Sequence, residues 1–256
     1  INPAGISIFN DSNASIAFQS RSTDYLTTYY GNSTITQQDF FKVSNAGVVF
    51  TFNNYTSDEW SKLAMGINYR VLADFEDTFI AKGTSGFASF DNFPLDNSEN
   101  PLVYDIADNQ QLSNFYNGDM SELSFAFSGV YEEKMHVGAG LNFYDLNFSQ
   151  QTILRENNND GNNNTLNARL YQENFTTGVG FSLSAGVIYK PTNAFRLGLS
   201  YQSPTWFTEI IENTNITNND GFFGDTEIEV SNDDMIYDNT FGGNLPTQGL
   251  LYKLRT

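Results

Sequence analysis

The sequence contains no cysteine, one histidine and few charged residues, and each shortage excludes a class of protein. Without cysteine, the chain forms neither disulfides nor thiolate metal sites. Hydrolytic chemistry of the serine type needs a histidine base, whereas His136 lies beside the Glu132–Lys134 turn, where a single histidine is usually interfacial or solvated. No Gly-rich phosphate loop or metal-ligand cluster occurs in the sequence. We therefore expect no enzyme activity and no cofactor or metal.

Long apolar runs and an excess of positive charge are also absent. No run of about 18 apolar residues occurs, which excludes a transmembrane helix in this sequence but not a β-barrel, whose signal is spread over alternating segments. The formal net charge of −18 argues against nucleic acid as a partner, because phosphates require Lys and Arg. The sequence contains no signal peptide, but we expect its start at Ile1 to be trimmed, so this absence is uninformative about location.

Strict alternation of apolar with small or polar residues is the strongest positive signal in the sequence. It runs through Gly180–Tyr189, breaks at the Lys190–Asn193 turn and resumes through Phe195–Gln202. A period of two predicts a β-hairpin, and each arm has the length of about ten residues that a tilted strand needs to cross a bilayer. We expect one face to meet lipid and the small polar face to line a lumen. The predicted lipid-facing residues are Phe181, Leu183, Val187, Phe195, Leu197 and Leu199.

Similar alternation elsewhere predicts further strands, separated by polar stretches. The predicted strands are Asn13–Ser20, Ala46–Phe52, Leu63–Tyr69, Leu123–Tyr131, Val137–Phe143 and the beginning of another at Leu250–Thr256. Long loops are predicted near 21–38, 74–119, 149–170 and 208–248, alternating with short turns, as expected when only one side of a barrel faces a confined compartment. Tyr131 and Tyr189 beside short turns, and Trp206 beside a long loop, fit aromatic girdles. Aromatic residues of a soluble β core are the alternative.

Two short motifs add a resemblance to a family. Asn2-Pro3-Ala4-Gly5 precedes the first strand, and Tyr201-Gln202-Ser203-Pro204 ends the hairpin, with Gln202 where the family commonly has Arg. These segments resemble the FadL/TodX family of outer-membrane transporters, in its Bacteroidota-like branch. The resemblance implies an all-β antiparallel transmembrane barrel of about fourteen strands, an even number as in other bacterial barrels. The chain would then supply the N-terminal half, with about seven to eight strands over residues 12–256.

The same resemblance implies a function for the first residues. Residues 1–11 would be the end of an N-terminal hatch that is mostly absent ahead of Ile1, and more chain would follow Thr256. Asn2, Pro3, Ala4 and Gly5 would gate the barrel by packing against a kink in its wall, since Pro3 fixes φ and Asn2 offers its side chain to an unpaired strand group. An ordinary turn is the alternative.

The implied activity is passive uptake of hydrophobic small molecules, such as long-chain fatty acids or aromatic hydrocarbons, through the outer membrane of a Gram-negative bacterium. Expected partners are this ligand and outer-membrane lipid, together with another outer-membrane protein if the chain is a subunit of an assembly. The alternatives are a FadL-like barrel acting as a subunit of a larger assembly, such as a secretion machine, and a surface β-protein for adhesion. Several Phe residues of the polar stretches form either a hydrophobic capture site or the cores of folded loops. Glu156–Gly161 resembles the start of a calcium loop, but Asn167 stands where the closing Glu should be.

Overall fold

The computed structural model describes residues 2–53, 59–92, 98–192, 194–219, 227–232, 235–238, 243–246 and 253–254, with side chains up to residue 207. Apart from one 3-10 turn, Pro3–Ile8, the regular structure of these residues consists of β-strands. No helix among them is both long enough and apolar enough to cross a membrane. The prediction of an all-β antiparallel fold is therefore confirmed.

The strands are long and almost continuous along the chain. They are β1 (Asn13–Tyr29), β2 (Asn32–Asn53), β3 (Trp60–Asp74), β4 (Asp77–Gly83), β5 (Ile106–Tyr131), β6 (Met135–Asn159), β7 (Thr165–Thr192), β8 (Phe195–Gln202), β9 (Thr205–Asn219), β10 (Glu227–Asn232), β11 (Met235–Asp238), β12 (Gly243–Pro246) and β13 (Lys253–Leu254). Every strand predicted up to Gln202 lies inside an observed strand. Of the last predicted strand, only Lys253–Leu254 lies within the described residues.

One antiparallel sheet contains eleven of these strands and curls into a half-barrel. Its order is β1-β2-β3-β5-β6-β7-β9-β10, with β4 on β5, β8 on β7 and β13 on β9, while β11 and β12 form a separate pair. Most strands that are consecutive in sequence are therefore neighbours in the sheet, as in an up-and-down barrel, although β4 does not pair with β3 and β8 does not pair with β9. The concave face of this half-barrel carries the candidate site.

The prediction of a long loop near 21–38 is wrong. β1 and β2 run straight through this stretch, paired from Arg21↔Phe40 to Tyr29↔Asn32, and the chain reverses at Tyr30–Gly31. The segment is polar on both faces, so it lacks the apolar alternation of a half-buried strand. It is nevertheless rich in Thr and Tyr, which favour strands. Tyr30 and Gly31 have φ of 43° and 81°, the left-handed geometry of a tight hairpin turn.

The other predicted loops are also shorter than expected. β6 and β7 extend through most of 149–170 and leave only 160–164 between them, because their polar residues pair across strands from Ser149↔Phe175 to Asn159↔Thr165. Parts of 74–119 belong to β4 and β5, although a long connection remains at 84–105. Within 208–248, β9 to β12 occupy the described residues, and the remainder lies outside them. Paired hairpin extensions therefore replace most of the predicted loops.

The outer face of the sheet carries two lateral rows of large side chains. One row follows the ladder through Trp60, Tyr131, Met135 and Tyr189, beside the short turns. The other follows Tyr69, Leu123, Phe143, Phe181 and Trp206. Along β6 the two rows are separated by about 26 Å of strand at the usual rise per residue. We call the part of the sheet between these rows the banded half, and the hairpin extensions beyond the second row the extended half.

The long connection between β4 and β5 folds against the extended half through a buried carboxylate. Glu156 accepts hydrogen bonds from the backbone N–H groups of Ser89 (2.8 Å) and Phe90 (3.1 Å) and from Nε2 of Gln110 (2.6 Å). Burial would by itself raise the pKa of Glu156, but the hydrogen bonds from Gln110 and Ser89 outweigh it and lower that pKa. The ionised carboxylate therefore fastens the first part of this connection to β6.

Candidate gate and cavity on the concave face

The N-terminal 3-10 turn is built locally by its Asn-Pro start. Asn2 adopts an extended conformation and its Oδ1 accepts a hydrogen bond from Ala4 N at 3.0 Å, which is the geometry of an N-cap. Pro3 occupies the first position of the turn, where a missing N–H leaves no group unpaired. Gly5 N donates to Asn2 O at 3.0 Å and closes the turn. This part of the motif is an ordinary local structure.

Asn2 also makes contacts far along the chain. Its Nδ2 donates to the carbonyl oxygens of Leu199 (3.2 Å) and Val187 (3.4 Å). These two residues face each other on β8 and β7. The Asn2 side chain therefore caps the turn with its oxygen and hydrogen-bonds to both β7 and β8 with its nitrogen. The plain-turn interpretation does not account for this second contact.

The sheet has glycine at the two positions directly beneath the turn, Gly138 and Gly186. A Cβ on Gly186 would lie 1.9 Å from Asn2 Oδ1, and one on Gly138 would lie 2.5 Å from Ala4 N. Separations this short are impossible for non-bonded atoms. Glycine at these two positions therefore allows the backbone of residues 2–4 to lie flat on β6 and β7.

A buried hydroxyl network anchors the other end of the turn. Ser7 Oγ donates to Ala4 O (2.9 Å), accepts from Ser128 Oγ (2.8 Å) and lies 2.8 Å from Nδ1 of His136. The direction of the third contact depends on the tautomer of His136, because Ser128 Oγ also lies within donating distance of Ala4 O, at 3.3 Å, and Ser7 has one hydrogen to donate. Of the two expectations for His136, interfacial or solvated, the solvated one is wrong, since the residue is only 4% exposed.

The predicted wall motif lies where the strand bordering β7 is interrupted. Gln202 pairs with Ser184 and Trp206 with Phe181, so residues 203–205 oppose only residues 182–183. Ser203 bridges the irregularity because its N donates to Leu183 O at 2.8 Å and its Oγ accepts from Leu183 N at 2.9 Å. β8 and β9 both pair with β7, one after the other. The extra residue and the missing N–H of Pro204 interrupt this pairing at the point where β8 ends and β9 begins.

The remaining motif residues point to opposite faces of the sheet. Tyr201 faces outwards and is 68% exposed. Gln202 faces the concave side, where its Nε2 donates to Tyr144 Oη (2.8 Å) and Ser182 Oγ (3.2 Å). Gln202 thus holds the inner side of the wall break against β6 and β7.

A cavity of about 250 Å³ lies between the turn and the concave face. Its apolar lining includes Pro3, Ile6, Phe9, Val48, Val49, Ile67 and Ala126, and its polar lining includes Asn2, Asn68, Asn142, Ser184 and Gln202. Its charged lining, within the part of the chain that the structure describes, consists of Arg70 and Glu122. They form a bidentate pair, with Nε–Oε1 and Nη2–Oε2 both at 2.9 Å. The cavity is thus mainly apolar, and its charges neutralise each other.

The residues predicted to face lipid all lie on the outer face of the sheet. Leu183, Phe195, Leu197 and Leu199 are more than half exposed, Val187 is 38% exposed, and Phe181 is half-buried. Phe181 packs against Trp206, with ring centroids 5.3 Å apart. The structure places these side chains outwards, and their contact with lipid remains a prediction.

Aromatic residues from the predicted loops are divided between two environments. Phe75 packs against Phe148 at 5.4 Å, and Phe79 lies 6.4 Å from Tyr116, so these rings belong to the folded extended half. Phe87 is 78% exposed. Phe93, Phe222 and Phe223 lie outside the described residues.

The Asp160 carboxylate of the segment that resembles a calcium loop accepts hydrogen bonds from Asn162 N and Asn164 N, as in an Asx turn.

Sequence reasoning missed Ser7, Ser128, Gly138 and Gly186. Ser128 and His136 do stand at inward positions of the period-two pattern, which is the available signal for their shared face. Comparison of the chain with protein-family models, curated proteins and solved structures gave no match.

Proposed function

We propose that this chain is part of an outer-membrane barrel of the FadL/TodX type that conducts hydrophobic small molecules. The observation that carries the proposal is the position of the N-terminal turn. It lies on the concave face, binds the β7–β8 pair through Asn2, and bounds a mainly apolar cavity. The turn is thereby placed to control passage between that cavity and the neighbouring wall break.

The outer face supports a membrane location. The banded half exposes large apolar residues such as Phe127, Leu183 and Leu199, and a row of aromatic or large apolar residues borders it on each side. At the usual strand tilt of about 35–45°, the length of strand between these rows rises about 20 Å along the membrane normal, which covers most of a hydrocarbon band of about 25 Å. A water-soluble sheet would leave this surface in contact with solvent at a considerable hydrophobic cost.

The charges in the cavity favour an uncharged ligand over a carboxylate. Arg70 already bonds both oxygens of Glu122, and Glu122 also accepts from Ser124 Oγ at 2.8 Å. A fatty-acid carboxylate would have to displace this pair and leave a buried charge without its partner, which is strongly unfavourable. We therefore favour neutral hydrophobic compounds, of which aromatic hydrocarbons are an example.

The test uses Asn2→Asp, which keeps the capping oxygen and removes the Nδ2 donor. The turn should persist while its clamp on Leu199 O and Val187 O is lost, and uptake of a labelled hydrophobic compound by cells should fall severalfold. The matched control is Asn10→Asp, which makes the same change in charge and keeps the oxygen that accepts from Lys62. Uptake is normalised to folded protein by heat-modifiability on a gel.

Equal uptake by the Asn2→Asp variant and the wild type, at equal folded amounts, would reduce the motif to a plain turn. That outcome would favour the docking role in a larger assembly, because a docking barrel needs no gate. A protein that stays folded and monodisperse without detergent would instead favour a soluble surface protein.

A further inference from the structure

A second cavity, of about 680 Å³, lies on the opposite side of the N-terminal turn, near the short turns of the sheet. Among the described residues, its lining contains the cations Lys62, Lys190 and Arg196 and one acid, Glu133. The whole chain contains 12 basic and 30 acidic residues, so this lining reverses the charge balance of the protein. Such a concentration of positive charge in one concavity attracts anions.

His136 provides an independent sign of a missing ligand. Its ring lines the same cavity, its Nδ1 is held by Ser7, and its Nε2 is buried without a hydrogen-bond partner. Unpaired buried polar atoms are rare in folded proteins and require an explanation. In either tautomer of the neutral ring, Nε2 presents a hydrogen or a lone pair to which no described residue bonds. A bound anion would favour the protonated ring, in which Nε2–H donates to that anion.

We propose that this cavity binds a phosphate group. Lys190 and Arg196 supply the charge and His136 supplies a donor, whereas Lys62 is partly engaged by the carbonyl of Phe9 at 3.0 Å. Arginine and lysine are the usual phosphate ligands in proteins. The volume exceeds that of an inorganic phosphate ion, and Ile8 and Val130 add apolar surface, so the cavity has room for a substituent on the phosphate.

A phospholipid headgroup is one source of such a group and a soluble phosphate ester or ion is the other. The cavity lies on the concave face, at the level of the Trp60–Tyr189 row on the outer face, where aromatic girdles meet lipid headgroups. The site is independent of the proposed uptake function, because it lies across the turn from the apolar cavity and shares no charged residue with it.

The experiment measures binding by isothermal titration calorimetry in a maltoside detergent, which carries no phosphate. The probes are inorganic phosphate and dihexanoylphosphatidic acid below its micellar concentration. The Lys190→Gln/Arg196→Gln variant should bind both probes at least about tenfold more weakly, since charge-assisted hydrogen bonds each contribute on this order. Lys134→Gln is the control, because Lys134 lies in the adjacent turn and does not line the cavity.

The two probes distinguish the sources, since tighter binding of the lipid assigns a headgroup and equal binding assigns a soluble phosphate. Equal affinities of the double variant and the wild type, with wild-type circular dichroism, would overturn the proposal. So would the absence of binding to the wild type at millimolar concentrations of both probes.

The single histidine provides a second readout that does not depend on affinity. With ¹⁵N-labelled histidine, the protein gives the imidazole signals of His136 alone. Saturation with phosphate should move the Nε2 resonance towards the protonated form in the wild type and leave it unchanged in the double variant. An unchanged Nε2 resonance in the saturated wild type would overturn the role of His136 in the site.

Discussion

The banded half and the extended half of the sheet belong to the same strands but have opposite sidedness. In the banded half of β6 the outer face carries Val137, Leu141 and Phe143, and the inner face carries His136 and Asn142. Beyond the second row the outer face carries Asp145, Asn147 and Ser149, and the inner face carries Leu146 and Phe148. β5 reverses in the same way, from outer Phe125 and Phe127 to outer Asp119 and Asn117.

This reversal shows which surroundings each half is suited to. Just beyond the second row, the side chains of β6 follow the usual rule for water, with Leu146 and Phe148 inside and charged or amide groups outside. Those of the banded half follow the rule for a membrane barrel, with apolar groups outside and small polar groups inside. Water alone would not favour both the apolar outer face of the banded half and the polar outer face beyond it in one continuous strand. Lipid around the banded half and water around the extended half, with the boundary at the row through Phe143 and Phe181, favour both.

The largest expected effect is a direct test of this boundary. Leu183→Arg places a charge on the outer face between the two rows and should destabilise the protein in lipid vesicles by about 2–4 kcal/mol. Thr177→Arg on the same strand and face, beyond the second row, should cost less than about 1 kcal/mol, because its charge remains in water. Both values are measured by reversible urea unfolding in vesicles. Equal costs for the two variants would abolish the boundary and the membrane interpretation with it.

A smaller effect is expected where the turn meets the banded half. Gly186→Ala puts a Cβ in the position of Asn2 Oδ1 and should cost about 1–3 kcal/mol of folding stability, as overpacking usually does. Gly5→Ala is the control, since a Cβ there meets nothing within 4 Å. The same unfolding assay serves both variants. If they are equally stable, the turn does not lie on β7 as described.

The sequence predicts the strands of the banded half well and those of the extended half poorly, because only the banded half has one consistently apolar face. Between the rows one face is apolar throughout, so a period of two is visible in β6 and β7. Beyond Phe143 the outer face is polar and the inner face mixed, so the alternation disappears although the pairing continues to Asn159. Strand propensity and the tight turn at Tyr30–Gly31 were the remaining signals there.

Features of the site that depend on neighbouring residues can be read from the sequence, whereas those that depend on residues far apart in the chain cannot. The capping role of Asn2 and the break at Pro204 depend on neighbouring residues and are legible in the motifs. The contact between Ser7 and His136 depends on the register of strands far apart in the chain. The space above Gly186 depends on that register as well. No local pattern specifies these contacts.

The smallest expected effect concerns the extended half alone, where Glu156 holds residues 84–92. Its pKa is lowered in the folded state, so its stabilising contribution is complete above the unfolded value of about 4.3 and disappears as the pH falls through the folded pKa. Glu156→Gln should make local opening easier by about 1–2 kcal/mol above that range and should remove its pH dependence. The measurement is hydrogen exchange of the Ser89 and Phe90 amides, which donate to this carboxylate.

The control is Glu173→Gln, which loses a carboxylate bonded to Gln151 at 2.6 Å elsewhere in the sheet. Exchange at Ser89 and Phe90 that is identical in the wild type and Glu156→Gln would mean that the connection is held by other contacts. The banded half should keep its exchange protection in both variants, because the ladder there does not depend on this carboxylate.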